Sequence, residues 1–242
     1  MLPCPPVPSR PRVVAEDKER THARILAAAI DVFAEHGYEG AATREICGRA
    51  RVNGAALNYH FRSKQQMWLA VCNEVSARMQ RIAFDSVSLA LTPRDALRRF
   101  LGSLFDGLVA DPRPAQIMVW AAMQSRNKDV ERTLEAFRPF VDIAHGYFTS
   151  AQSAGLLPRD VDVQLVLPIL FAQFVYPFVA QEGQRRMFGG DLSQPKFAGR
   201  LRALLLRSAD LMLGLRPADA TRSADAAPRP QPRTGSRTRQ RR

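Results

Sequence analysis

The chain has 242 residues, of which 46% are hydrophobic, and this predicts a soluble globular protein with a real core. Its net charge of +12 invites an interpretation as a nucleic-acid-binding protein, but the distribution of the charge matters more than its size. Its most apolar stretch, residues 165–180, is interrupted by Gln173 and by two prolines and is too short to cross a bilayer of roughly 30 Å, so no membrane span is expected. The three cysteines lack the spacing of metal ligands, so we expect neither a metal site nor redox chemistry nor a cofactor.

The two ends of the chain differ in composition from the middle. Residues 1–15 are rich in proline where an export signal needs an apolar helix, so we expect a flexible segment and a cytoplasmic protein. Residues 215–242 contain eight arginines and two aspartates, which is a net charge of +6 and half of the total. Because this stretch has no apolar periodicity, we expect residues 216–242 to be disordered. Such a tail either adds non-specific attraction to phosphates or serves only as a solubilising end.

The first two predicted helices lie within the first fifty residues. Apolar side chains recur at helical spacing between residues 17 and 36, and Gly37 is typical of a helix C-terminus. The apolar face consists of Ile25, Ala28, Ala29, Val32 and Phe33. Thr43 is a residue type that caps helix N-termini, and it precedes a short second helix in which Ile46 and Ala50 share a face.

Two further helices follow after short connections. Asn53 is another N-cap residue, and it opens a third helix over residues 54–60 with Leu57 and Phe61 turned inward. Ser63 and Gln66 match a capping box, which predicts the start of a longer fourth helix. The inward residues of that helix are Met67, Trp68 and Val71.

Two short helices joined by a tight turn are typical of a helix-turn-helix, in which the second helix enters the major groove of DNA. The third helix begins with the small residues Gly54, Ala55 and Ala56, which would let its backbone approach the groove closely. Asn58 offers the amide that pairs with adenine, while Tyr59 and His60 can donate to phosphates. The alternative, an alanine-rich helix in a bundle, does not account for the Asn-Tyr-His triplet.

Residues 21–70 resemble the DNA-binding domain of the Tet repressor (TetR) family of transcriptional regulators, from "ILAAAIDVFAEHGYEGA" through "TREI" to "LNYHFRSK". The recognition-helix end is similar to a branch of the family that carries Asn-Tyr-His-Phe. The resemblance implies that Arg44, Gly54, Ala55 and Asn58 approach bases. It implies that Thr43, Tyr59, His60 and Lys64 hold phosphates, and Asn53 completes the set of candidate DNA-binding residues as the helix cap.

Arg51 departs from the family pattern, which usually has glycine in the turn before the recognition helix. A residue other than glycine in a left-handed conformation costs roughly 1–2 kcal/mol. Either the turn differs slightly, or Arg51 recovers some of that strain by reaching a phosphate.

The remainder of the chain, residues 71–215, is predicted to be a helical ligand-binding and dimerisation domain. Helices are expected to begin at Pro93, at Asp111-Pro112 and near Asn127, the last running to about Ala154, and two more at about 162–182 and 195–214. In the family the last two helices pair with their copies from a second subunit as a four-helix bundle, which predicts a homodimer. The alternative is that the apolar helix near 165–180 is buried inside one subunit.

A pocket for an unknown small molecule is predicted from side chains that mix aromatic surface with a few polar groups. The candidates are Trp120, Met123, Gln124, Phe137, Phe140, His145, Tyr147, Phe148, Gln173, Phe174 and Tyr176, with Arg126 as a further polar group. Aromatic residues at this spacing also occur in ordinary cores, so the individual lining residues stay open.

The sequence shows no catalytic motif: its four histidines form no His-x-x-x-His pair, and no Gly-x-Ser-x-Gly occurs. We therefore expect an all-α protein with an N-terminal helix-turn-helix domain (residues 16–70). The expected function is that of a homodimeric, ligand-released repressor, not an enzyme, that binds a palindromic operator in double-stranded DNA. The alternatives are a non-specific nucleic-acid-binding protein that depends on its basic tail and an all-helical enzyme with an unrecognised site.

Overall fold

The computed structural model describes residues 10–88, 93–123 and 130–214, which are helical with no strand among them. The all-α prediction is thereby confirmed. The helices are α1 (Arg10–Gly40), α2 (Thr43–Ala50), α3 (Gly54–His60), α4 (Lys64–Ser88), α5 (Pro93–Ala110), α6 (Arg113–Met123), α7 (Val130–Ser153), α8 (Val163–Val179), α9 (Gln181–Phe188) and α10 (Pro195–Met212). The basic tail predicted for residues 216–242 lies outside these ranges.

In the described ranges, no single helix combines the length and the apolar composition needed to cross a bilayer. Helices α8 and α9 reach both together, but their axes are bent by 78° at the break between them.

Helix α1 is longer than the sequence pattern indicates at both ends. It begins at Arg10, whereas apolar periodicity places its start near residue 17, because residues 16–20 are all exposed and carry no apolar signal. Gly37 has a left-handed backbone with φ of 68°, as its predicted position at a helix end requires, but the chain turns helical again as far as Gly40. A Cβ at Gly37 would lie 2.9 Å from ring carbons of Trp120, so the position also needs glycine for close packing.

The predicted caps are found with one exception. The N-cap of α2 is Ala42, which has an extended backbone, and Thr43 is the first helical residue, so the prediction of Thr43 as a cap is wrong by one position. Asn53 caps α3 as predicted, since its side chain accepts from the backbone N–H of Ala56 at 2.8 Å. The Ser63 hydroxyl likewise accepts from the N–H of Gln66 at 3.1 Å.

One buried cluster runs through the molecule from α1 to α10. It includes all the side chains that the sequence predicts to face inward in the first four helices, from Ile25 to Val71. Helix α4 begins beside α3 and packs along α1, α5 and α7, so it joins the N-terminal helices to the larger C-terminal set.

Three helices are held together by an ion-pair network at the start of α6. The Asp111 carboxylate accepts from Arg113, at 2.7 Å from Nη2, and from Arg78 of α4, while Arg113 Nη1 also donates to Asp31 of α1 at 2.5 Å. Burial opposes the charged form of Asp111, but these hydrogen bonds outweigh it and lower its pKa to about 2. Asp111 is therefore charged at neutral pH, and the network ties α6 to α1 and α4.

The C-terminal region contains a helix that the sequence pattern missed. The predicted helix over 162–182 ends at Val179, because Ala180 leaves the helical conformation (φ −97°, ψ 18°), and the chain bends into α9. Helix α9 has no buried residue, and its two large apolar side chains, Met187 and Phe188, stand together at its C-terminal end instead of recurring along a face, so the sequence pattern did not indicate it. The helix predicted at 195–214 is found as α10. Helix α7 ends near the predicted Ala154, whereas Asn127, its predicted start, lies outside the described ranges.

Candidate functional site

The outward face of α3 combines small side chains with polar groups. Gly54, Ala55, Asn58 and Tyr59 are exposed, and Tyr59 is 68% exposed. A Cβ added at Gly54 would meet no atom within 4 Å, so nothing inside the protein requires glycine there. The inward residues Leu57 and Phe61 are buried and fix this face outward. Because Gly54 has no side chain and is exposed, another molecule can approach the backbone of α3 closely at this position.

The turn that leads into α3 contains Arg51, which adopts the left-handed conformation with φ of 53° and ψ of 48°. The turn therefore keeps the left-handed geometry, with Arg51 in the strained position, and does not adopt a different geometry to avoid that strain. The N–H groups of Arg51 and Val52 donate to the carbonyls of Gly48 and Cys47, which closes the end of α2. The Arg51 side chain is exposed, so its guanidinium is accessible to solvent.

Hydrogen-bond donors that the sequence predicts to hold phosphates lie on the helices next to α3. Thr43 and Arg44 are exposed in the first turn of α2. Lys64 is the first residue of α4, and its ammonium donates to the carbonyl of Glu39 at 3.1 Å and lies 4.9 Å from the centroid of the Tyr38 ring. Because an ammonium has three donors, this contact positions the Lys64 charge and leaves donors for a second acceptor.

Two basic residues of α1 that sequence reasoning missed also belong to this surface. The Lys18 ammonium lies 5.2 Å from the centroid of the Tyr59 ring, and the His22 ring lies 5.8 Å from that of His60. The i, i+4 spacing of Lys18 and His22 on one helix face was the available signal, but nothing local indicates that this face meets α3. Partial burial, with smaller contributions from the nearby His22 and Lys18, lowers the pKa of His60 below the usual value for histidine.

Helix α2 is attached to α1 by ion pairs on the other side. The Arg49 guanidinium donates to Glu35 through two nitrogens and to Glu45 through one, each at 2.6 Å. Glu35, His36 and Glu45, within the part of the chain that the structure describes, each place one oxygen or nitrogen atom within 4.8 Å of the others. Both carboxylates of that group accept hydrogen bonds from Arg49, so these ion pairs hold α2 against α1.

A cavity of about 250 Å³ lies in the larger C-terminal set of helices. Side chains of α5, α6, α7 and α8 line it: Phe100, Leu101, Leu104, Met118, Ala122, Leu134, Phe137, Phe140, Val141, Ala144, Phe148, Leu167, Pro168, Leu170, Phe171 and Phe174. Every described residue of the lining is apolar.

The predicted pocket residues divide into two groups. Phe137, Phe140, Phe148 and Phe174 line the cavity. The remaining described candidates do not line the cavity. Met123 and Tyr176 are 69% and 60% exposed, and His145 is exposed and hydrogen-bonds Thr149. The side chains of Trp120, Tyr147 and Gln173 donate hydrogen bonds to the Ala34 carbonyl, the Ala83 carbonyl and the Ser208 hydroxyl. Gln124 and Arg126 lie outside the described residues.

Helix α6 connects the cavity to the N-terminal helices. Met118 and Ala122 of α6 line the cavity, and Trp120 between them points to α1, where its indole N–H donates to the Ala34 carbonyl at 3.1 Å. The same indole packs against Gly37 at the kink of α1. A shift of α6 at the cavity would therefore act on the helix that supports α2 and α3.

An exposed apolar stripe lies on α8 and α10, which pack side by side. On α8 it consists of Leu165, Ile169 and Tyr176, which are 66%, 53% and 60% exposed, and on α10 of Leu204 and Leu211, which are 62% and 73% exposed. Helix α8 carries no charged residue. Exposed apolar side chains grouped in this way are typical of surfaces that contact another molecule.

Comparison with known proteins agrees with this geometry. Residues 25–71 match the sequence profile described as bacterial regulatory proteins of the tetR family. The chain is 30% identical over 154 residues to the HTH-type transcriptional repressor NicS of Pseudomonas putida, which covers 62% of this chain and 71% of NicS. It is 29% identical over 134 residues to the HTH-type transcriptional repressor Rv3405c of Mycobacterium tuberculosis, covering 54% of this chain and 66% of that repressor, just under two thirds.

Solved structures share the fold across most of the chain. FadR from Bacillus subtilis in complex with stearoyl-CoA superposes with a TM-score of 0.61 at 19% identity, covering 76% of this chain and 97% of that one. The hemolysin II transcriptional regulator HlyIIR superposes with a TM-score of 0.58 at 18% identity, covering 78% and 98%. With 30% identity to NicS across 71% of that repressor, and with its helix-turn-helix region matching the family profile, the chain belongs to the TetR family of bacterial regulatory proteins.

Proposed function

We propose that the protein is a homodimeric transcriptional repressor that binds a palindromic operator in double-stranded DNA and is released from it by a small molecule. The observation that carries the proposal is the outward face of α3. Gly54 is small without an internal packing reason, and Asn58 stands exposed beside it above a buried Leu57. The repressors NicS and Rv3405c support the direction of the regulation.

In this proposal, the N-terminal half of α3 enters the major groove. Gly54 and Ala55 admit the helix to close range, Asn58 reads an A·T pair, and Arg44 reaches a base from α2. Phosphates on both sides of the groove are held by Thr43, Arg51, Asn53, Tyr59, His60 and Lys64. Because residues 58–61 read Asn-Tyr-His-Phe, we further propose that the chain belongs to the branch of the family that has these residues in its recognition helix.

The second subunit is proposed to cover the stripe on α8 and α10. A two-fold pairing of these helices gives a four-helix bundle and buries Leu165, Ile169, Leu204 and Leu211 against their copies. Two α3 helices would then meet half-sites about 34–36 Å apart on one face of the duplex.

Release is proposed to begin at the cavity. A ligand among α5, α6, α7 and α8 favours a position of α6 that moves α1 through Trp120 and through the Arg113–Asp31 pair. The spacing of the two α3 helices then no longer fits the operator. By linkage, if the ligand weakens DNA binding by some factor, the DNA complex binds the ligand more weakly than the free protein by the same factor.

The proposal includes no enzymatic activity, since the named relatives are regulators. Because the proposed target is the chromosome, the proposed location is the cytoplasm.

The proposal is tested by selecting sites from a random DNA pool at physiological salt, with the full chain and with a chain that ends at residue 215. Both chains are expected to select the same palindrome, and the shorter one should show a flatter salt dependence because it releases fewer counterions. Binding without any preferred sequence would contradict the proposal and favour a non-specific nucleic-acid-binding protein. Loss of preference in the shorter chain alone would place specificity in the tail instead of α3.

A further inference from the structure

The chemistry of the cavity lining restricts what the cavity can bind. Six of the lining residues are phenylalanines and the others are aliphatic, methionine or proline. None of the described lining side chains offers a hydrogen-bond donor, an acceptor other than thioether sulfur, or a charge. A carboxylate or hydroxyl group buried among them would lose its water without gaining a hydrogen-bond partner, which is unfavourable. The buried part of a ligand must therefore be hydrocarbon.

The volume of the cavity sets the size of that hydrocarbon part. An apolar cavity of about 150 Å³ in a protein interior stays dry and holds benzene, which has six carbon atoms. In proportion, the cavity of about 250 Å³ has room for roughly ten carbon atoms.

The edge of the cavity is exposed where α7 faces α8. The lining residues Leu134 and Val141 are 47% and 50% exposed. Arg138 falls between them on the same face of α7, with Glu135 and Asp142 three residues before and four residues after it. Charges of both signs therefore border this edge, and a polar end of a ligand can stay in water there without preference for one sign.

We propose that the effector of this protein is a molecule with an uncharged hydrocarbon portion of about ten carbons, bound in the cavity by that portion alone. Its polar end, if it has one, lies at the edge formed by Leu134 and Val141 and adds little to affinity. This inference rests on the proposed function, because it names the chemical class of the releasing ligand.

The test is calorimetric titration of the full chain, without DNA, with linear alcohols of four to twelve carbons and with the carboxylic acids of the same lengths. We expect affinity to rise about fourfold for each added carbon, from about 0.8 kcal/mol per buried methylene, and to level off near ten carbons. The dissociation constants of an alcohol and of the acid of the same chain length should differ by less than tenfold. Affinity that does not depend on chain length, or an acid bound more than a hundredfold tighter than its alcohol, would overturn the inference.

A variant that fills the cavity locates the binding. Ala144 is buried in the lining, so Ala144→Phe should place a ring in the cavity and weaken binding of 1-decanol at least tenfold. Ser150→Phe adds the same ring at an exposed position of the same helix and should leave binding unchanged. Should Ala144→Phe not fold, Val141→Phe tests the same point, because its half-exposed position needs no interior repacking. Equal effects of the lining variant and Ser150→Phe would contradict the assignment to the cavity.

The two proposals can fail separately. If alcohols bind as described but do not change affinity for the selected operator, the cavity inference stands for binding, whereas the ligand-release part of the proposed function fails. If an operator is selected but no hydrocarbon chain binds, the inference fails and the DNA-binding proposal stands.

Discussion

Asn58 is the exposed side-chain amide in the middle of α3, and its proposed role is to distinguish base pairs. Asn58→Ala removes both a donor and an acceptor, and it should weaken binding to the preferred site by roughly 1–3 kcal/mol and relax preference at one A·T pair. Repeating the selection from random DNA with the variant measures both effects.

Tyr59→Phe is the matched control for this prediction. It keeps the ring beside Lys18 and removes only the hydroxyl, which we assign to a phosphate. All sequences should be weakened alike by this change. A selected site that Asn58→Ala leaves unchanged would refute the base-reading role.

If His60 contacts a phosphate as proposed, we expect DNA binding to depend on pH. Burial, His22 and Lys18 lower the pKa of His60 in the free protein, so the ring is largely neutral at pH 7. A nearby phosphate favours the protonated ring, so DNA binding takes up a proton. Affinity for the operator should therefore rise as pH falls from 7.5 to 6.

The measurement is a series of operator titrations at constant ionic strength with the protein and with His60→Gln. The variant should lose part of this pH dependence, because the ring that takes up the proton is removed. A pH dependence of the opposite sign, with tighter binding at pH 7.5, would contradict the phosphate contact.

Helix α6 is the proposed link between the cavity and the DNA-binding helices, and Trp120 is its contact with α1. Trp120→Phe keeps an aromatic ring against Gly37 but removes the hydrogen bond to the Ala34 carbonyl. We expect a loss of about 1 kcal/mol in the free energy of unfolding and a smaller ligand-induced change in operator affinity.

The ratio of operator affinities with and without 1-decanol measures this coupling. Met123→Ala, at an exposed position of the same helix, serves as the control and should leave the ratio unchanged. A Trp120→Phe protein with the full ligand response would exclude this path.

The sequence was informative about the elements that are specified locally. The caps at Asn53 and Ser63 and the buried stripe from Ile25 to Phe33 act within a few residues, so the first four helices could be predicted from pattern alone. Helix α9 could not, because it buries no residue and its large apolar side chains, Met187 and Phe188, stand together at one end of only eight residues.

The cavity could be predicted only in part, because its lining depends on contacts between distant helices. Aromatic residues at helical spacing predicted a pocket in the right region, and four of the phenylalanines line it. The same pattern included Trp120 and Tyr147, whose polar atoms instead donate to backbone carbonyls of Ala34 and Ala83. Sequence spacing cannot distinguish these two environments, since each partner lies more than sixty residues away.

The stripe on α8 and α10 is the surface through which we propose that two subunits associate. Ile169→Glu places a carboxylate in the middle of the proposed interface, where it would be buried without a partner. We expect dimerisation to weaken by about 2 kcal/mol or more, with helix content unchanged. Sedimentation measures the association and circular dichroism the fold.

Phe84→Glu is the control for Ile169→Glu, because Phe84 is 67% exposed on α4, away from the stripe. It should leave the dimer intact. A dimer that Ile169→Glu does not weaken would mean that the subunits associate through another surface.

The two tryptophans give the protein a built-in optical probe. Trp68 is 2% exposed and sits in the core, whereas Trp120 is 36% exposed between α6 and α1. An ionic quencher such as iodide should therefore reach the indole of Trp120 and leave the bluer emission of Trp68 almost unchanged. The fraction of the emission that iodide quenches then measures how exposed Trp120 is at the contact between α6 and α1. The measurement needs no label and no known operator.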